Sequence, residues 1–117
     1  MRLAQASPLD DEAFNLSVEK SYTDCFRVQG FVGGDWGYCT NTNEVSGDPI
    51  ANSKAAAPVL DPADRRLVIY VLGWESAEIH EDYVRSPIFE EEMVTLGPWA
   101  DQSSGAWYTT FIKHGKE

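Results

Sequence analysis

His80 and Tyr83 stand three residues apart in the stretch GWESAEIHEDYVRS. On a helix that spacing puts both side chains on one face. An imidazole takes or gives a proton near neutral pH, and a phenol holds a developing enolate. The pair is therefore a candidate catalytic set for deprotonating an acidic C–H or phenol. The same spacing also fits a half-exposed face on which His80 packs beside Glu78, Glu81 and Asp82. Asp35, between Gly34 and Trp36, is the third catalytic candidate. Buried in an apolar cleft, its carboxyl would be pushed up and could carry a proton; on an edge strand it would be a solvated surface acid.

The chain holds four indoles, more than a small core readily satisfies, since each N–H wants a partner. Aromatic side chains commonly line small-molecule clefts. Trp36, Tyr38, Tyr70, Trp74, Trp99 and Tyr108 form the candidate substrate-binding set, while Trp107 is read as core or interface packing. Glu90, Glu91 and Glu92 follow one another and so point around a helix without converging, which predicts a solvated face and not a metal trap. The sequence has no CxxC, no HExxH, no cluster of Cys and His, and no glycine-rich phosphate loop. No metal and no bound cofactor are expected. Cys25 and Cys39 read as free thiols.

These side chains need elements to position them. Residues 1–6 suit a brief edge strand or a tail. Ser7-Pro8-Leu9-Asp10 has the composition of a helix start, with acids at 10–12 against the positive helix end. Phe14, Val18, Tyr22 and Cys25 then form an apolar helical stripe that Gly30 ends. FVGGDWGYCT over 31–40 is a strand, with Gly34, Trp36 and Tyr38 on one face and Asp35, Gly37 and Cys39 on the other. Its Gly33-Gly34 pair predicts a bulge or a close backbone approach. Residues 41–66 are polar and interrupted, which predicts a long flexible loop that could serve as a lid. LVIYVLGW over 67–74 is apolar throughout, so both its faces are expected to be covered. Helices are predicted over 76–85, capped by Ser76, and from Pro87 to about residue 96, stopped by Gly97-Pro98. GAWYTTFIK over 105–113 is the last predicted strand.

The order strand, helix, strand, loop, strand, helix, helix, strand predicts an α+β domain with an antiparallel sheet and helices on one face. The apolar 67–74 strand would then need a second copy to cover its other face, which predicts a homodimer packed sheet on sheet. With 117 residues, the chain suits a single domain spanning 1–117. Its 43% apolar and 12% aromatic content excludes disorder along the whole length. A net charge of −10 disfavours nucleic acid and anionic membrane surfaces as partners. No apolar run is long enough for a membrane span, and MRLAQASPLD lacks the apolar core of a secretory signal, so a cytoplasmic location is expected.

VIYVLGWESAEIHEDYVRSPIFEEE resembles the second half of a dimeric α+β barrel domain of the antibiotic-biosynthesis-monooxygenase type. The matching pieces are the apolar strand ending in Gly73-Trp74, then Glu75-Ser76, the short helix carrying His80, Ser86-Pro87-x-Phe89 and a final aromatic strand. They cover 67–113, and FVGGDWGYCT is similar to the strand after the first helix. The first strand is shortened to about RLAQA, and the 41–64 connection replaces a short hairpin. The resemblance implies a ferredoxin-like fold paired into a homodimer. Relatives include cofactor-free monooxygenases, haem-degrading enzymes, polyketide cyclases and dehydratases. The acidic, Trp-rich composition looks similar to fungal members linked to secondary metabolism. Residues 1–6 supply no Asn of the kind the haem-degrading branch uses, so haem degradation ranks below the others. The function expected is a cofactor-free tailoring enzyme, a cyclase, isomerase or dehydratase acting on a small hydrophobic, polyketide-like substrate by proton abstraction and enolate stabilisation. A cofactor-independent monooxygenase of the same fold, and a non-catalytic dimeric binding module, are the alternatives.

Overall fold

The computed structural model describes residues 1–43, 59–101 and 104–111. It is a small α+β domain built on a two-stranded antiparallel sheet with three α-helices. Helix α1 spans Glu12–Thr23 and begins later than the Ser7-Pro8 signal predicts. Asp11 is the cap: its carboxylate accepts from the amides of Ala13 at 2.8 Å and Phe14 at 3.4 Å. Residues 7–11 form turns instead, with the Leu9 amide on the Ser7 carbonyl and the Asp11 amide on the Pro8 carbonyl. A carboxylate placed on two free amides outcompetes a hydroxyl that is buried without a partner, as Ser7 Oγ is here. The predicted stripe holds: Phe14, Val18 and Cys25 are buried and Tyr22 is half-buried. A 3₁₀ turn over Asp24–Arg27 follows, and Gly30, at φ +98°, turns the chain into the sheet.

Strand β1 covers Phe31–Tyr38 and β2 covers Val68–Trp74. Phe31 lies opposite Trp74, Trp36 opposite Tyr70 and Tyr38 opposite Val68, with an irregularity between Phe31 and Gly33. The Gly-Gly pair does what its composition predicts. At Gly34 a Cβ would sit 2.0 Å from the Val71 carbonyl oxygen, so only glycine fits there. Trp36, Tyr38 and Tyr70 face inward onto a core of Leu3, Phe14, Val18, Val68 and Leu96. Among the described residues, no element covers the opposite face. Val32, Ile69 and Val71 are exposed on it, so the apolar 67–74 run is two-sided in sequence and one-sided in burial.

Helix α2 spans Ala77–Val84 and α3 spans Pro87–Leu96, as predicted. Ser76 Oγ accepts from the Ile79 amide at 3.2 Å, and Ser86 Oγ accepts from the Phe89 amide at 3.4 Å. Gly97-Pro98-Trp99 converts the end of α3 to 3₁₀ geometry. No helix among the described residues is long and apolar enough to cross a membrane.

The two terminal strands differ from prediction. Residues 1–4 are extended but sit between two neighbours and are not an edge. Leu3 donates to the Arg66 carbonyl at 2.8 Å, Ala4 donates to the Trp99 carbonyl at 2.7 Å, and Asp101 donates to the Arg2 carbonyl at 2.7 Å. Residues 104–111 form no strand, and Trp107 and Phe111 are 86% and 84% exposed. The β-forming composition of that segment is not matched by any ladder among the described residues; residues 1–4 instead bridge to Leu67 and Ala100. Residues 112 and 113 of the predicted strand lie outside the described residues, as do residues 44–58 of the loop expected over 41–66. The described ends of that loop are tied together. The Asn43 side chain bonds the Asp64 carbonyl and accepts from the Arg66 amide at 2.7 Å, and Leu60 donates to the Thr40 carbonyl at 2.7 Å.

Candidate functional site

A cavity of about 380 Å³ opens between β2, α2, α3 and the segment 105–108. Leu72, Trp74, Phe89, Met93, Leu96 and Trp107 give it a mainly apolar wall. Ser21, Cys25, Tyr70, His80, Tyr83, Glu92 and Tyr108 bring the polar groups.

His80 and Tyr83 reach the cavity because the Ser76 cap starts α2 with both on the face turned to β2. His80 Nδ1 lies 2.6 Å from Tyr108 Oη. With its proton on Nδ1 the ring donates to that oxygen, and Nε2 keeps a lone pair. Burial pulls the imidazole below its usual value, with Glu81 acting the other way, so His80 is neutral at pH 7 and can accept a proton. Trp74 stacks on Tyr83 with ring centroids 5.5 Å apart and lies 5.1 Å from the His80 ring. One indole thus holds both groups in place.

Tyr83 is buried, and its hydroxyl donates to Glu92 Oε1 at 2.8 Å. Glu92 is 5% exposed, against the solvated face predicted for Glu90–Glu92. Burial, helped by the neighbouring Asp24 carboxylate and opposed by Tyr83 and Lys20, raises its carboxyl to about 7. Asp24 is itself buried. Burial raises its carboxyl, but hydrogen bonds from Lys20 and Glu92 and the charge of Arg27 outweigh that, leaving it below the ordinary carboxylate value. Lys20 Nζ is 2.7 Å and Arg27 3.7 Å from its oxygens. Asp24 is therefore the ionised member of the pair, and Glu92 keeps the proton. Burial, with Glu92 adding to it, pushes the Cys25 thiol up to about 11, so it stands in the cavity wall as a neutral thiol.

The structure brings together His80, Tyr83, Tyr70, Trp74 and Tyr108 from the predicted set. Tyr70 lines the wall but spends its hydroxyl on the Val18 carbonyl at 2.6 Å. Asp35 is placed elsewhere. It is exposed on the outer face of β1, and its carboxylate accepts from the Trp36 amide at 2.8 Å, because strand alternation turns it away from Trp36 and Tyr38. Trp36, Tyr38 and Trp99 also lie outside the cavity. Trp36 stacks on Tyr70, Tyr38 donates to Asn15 Oδ1 at 2.6 Å, and Trp99 packs edge-on against Phe14. Trp107, read as packing, instead lines the cavity. Glu92 carries a sequence signal: it falls three residues after Phe89 and four before Leu96, on the buried stripe of α3. Among the described residues no group of three or more His, Cys, Asp or Glu side chains converges to hold a metal ion. Comparison of the chain with protein families, with characterised proteins and with solved structures finds no match.

Proposed function

We propose that the chain is a cofactor-independent tailoring enzyme that deprotonates an acidic C–H or phenol of a small, hydrophobic, polyketide-like substrate and stabilises the resulting enolate. The reaction class is cyclisation, isomerisation or dehydration. The observation that carries this reading is the His80 imidazole held 2.6 Å from Tyr108 in the wall of an apolar cavity. His80 is the base, Tyr108 orients its ring, and Tyr83 faces the developing oxyanion. The mainly apolar walls favour an uncharged substrate of a few fused rings. The fold we propose is the ferredoxin-like, dimeric α+β barrel, the exposed Val32, Ile69 and Val71 being the face a second copy covers.

Anthrone, a tricyclic ketone with an acidic methylene, tests the chemistry. Exchange of its methylene hydrogens in D₂O, followed by NMR, should be accelerated by the protein. The His80→Ala variant should lower that rate by roughly 10²-fold, the usual scale for losing a general base. Its stability should change little, because Ala is the better helix former. Anthrone-dependent O₂ uptake would instead favour the monooxygenase alternative, and saturable binding without exchange the binding module. Wild-type exchange in His80→Ala would remove His80 from the reaction.

A further inference from the structure

We propose that Tyr83 and Glu92 form a carbonyl-binding subsite for a neutral aryl ketone, in which Tyr83 donates to the ketone oxygen only while Glu92 is a carboxylic acid. The assignment rests on the proposed function for the location of the substrate, and adds to it the ligand class and a residue that controls Tyr83. Glu92 acts through Tyr83 and is a positioning residue.

Three observations carry it. Tyr83 Oη and Glu92 Oε1 are 2.8 Å apart, and both residues line the cavity. Trp74 stacks on the Tyr83 ring and offers a flat apolar surface beside that hydroxyl, which suits a fused aromatic ligand. Finally, Asp24 fixes which carboxyl holds the proton, since among the described residues Lys20 and Arg27 both pair with it and no ion pair forms to Glu92.

The switch follows from acceptor strength. A neutral carboxyl oxygen competes weakly for the Tyr83 hydrogen, so an entering ketone can draw it away. A carboxylate accepts much more strongly and keeps it. The chargeable groups around Glu92 are Lys20 from α1, Asp24 and Cys25 from the following turn, Tyr70 from β2 and Tyr83 from α2; Met1 also lines the cavity, its amine lowered by burial from its usual 8.0, and it is unchanged in Glu92→Gln. His80 shares the cavity, and burial moves its imidazole below its usual value, away from Glu92. Two buried carboxyls cannot both ionise freely beside one another, so the acid form of Glu92 persists to about pH 7.

The test uses two fluorescent probes on the full chain: 6-propionyl-2-dimethylaminonaphthalene, a neutral aryl ketone, and 2-dimethylaminonaphthalene, which lacks the carbonyl. Affinities are measured from about pH 6 to about pH 9, spanning the Glu92 transition. The ketone should bind about tenfold more weakly at the alkaline end, the loss expected for one hydrogen bond. The carbonyl-free probe should bind equally throughout. In Glu92→Gln the ketone should bind with no pH dependence, because a neutral amide replaces the titrating acid. Failure of the ketone to bind, equal affinity at both ends of the range, or the same decline for both probes would overturn the proposal. So would a decline that persists in Glu92→Gln. Should that variant not fold, the two-probe comparison on the native chain decides alone. A pH-dependent ketone affinity without anthrone exchange would defeat the enzymatic reading and leave this subsite standing; exchange with a pH-independent ketone affinity would do the reverse.

Discussion

A carboxyl that keeps its proton to about pH 7 ties stability to pH in the direction opposite to a salt-bridged acid. Glu92 is raised from an ordinary value of 4.5, so the folded state holds the proton more tightly than the unfolded chain. Its contribution is fully present below about pH 4.5 and is lost as pH rises through about 7. The difference amounts to about 3 kcal/mol at most. Asp24 has the opposite sign: its lowered carboxyl adds stability above its ordinary 3.8, lost as pH falls further. His80, also lowered, costs stability only below its ordinary 6.5. Urea unfolding of the native chain and of Glu92→Gln at about pH 5 and about pH 8 isolates the Glu92 share. The native chain should lose stability relative to the variant on going to the higher pH. Parallel changes in the two proteins would mean that Glu92 titrates as an ordinary surface acid. At this scale the sequence made His80, Tyr83, Trp74 and Tyr108 legible, because residue type and local spacing are enough to suggest a proton-transfer face. Glu92 was hidden by its neighbours. Three successive acids read as solvated, whereas the helical period buries one of them and leaves Glu90 and Glu91 exposed.

Elements were legible where a local signal ends them and illegible where they depend on a distant partner. Ser76 and Ser86-Pro87 set the starts of α2 and α3 by capping alone. The 105–113 run has the composition of a strand, but a strand exists only against an edge, and nothing in its own residues says whether that edge is taken. Asp11 caps α1 in place of Ser7 for a similar reason, since the composition of a helix start does not say which side chain reaches the free amides. The turn before the sheet offers a test at this scale. Gly30 has φ +98°, and a Cβ there would lie 2.8 Å from two atoms of the Ile79 side chain on α2. Gly30→Ala should therefore destabilise the fold by more than about 1 kcal/mol, combining an unfavourable backbone region with displacement of the helix that carries His80. Thermal unfolding checks it; an unchanged midpoint would mean that the turn relaxes freely.

For the molecule as a whole, the outer face of the sheet governs association with a second copy. Ile69 and Val71 alternate outward along β2, and Val32 joins them from the irregular start of β1. Gly33, Gly37 and Gly73 lie among them and keep the surface low, so a second sheet could approach to the roughly 10 Å spacing of packed sheets. A chain with a charge of −10 gains nothing electrostatically from self-association, so apolar contact must supply the drive. Two consequences can be measured together. Light scattering at micromolar concentration should give twice the 13.0 kDa chain mass, and Val71→Glu should return the monomer by placing a second carboxylate in the contact opposite Asp35. Added salt should tighten the association of the native chain, because it screens the repulsion between two acidic copies while leaving apolar burial intact. A mass near 13.0 kDa at every salt concentration would remove the dimer, and the outer face would then be a solvent-exposed apolar surface of a monomer. The cavity lies on the inner side of the sheet, lined by residues of one chain, so the His80 and Glu92 experiments keep their meaning under either outcome.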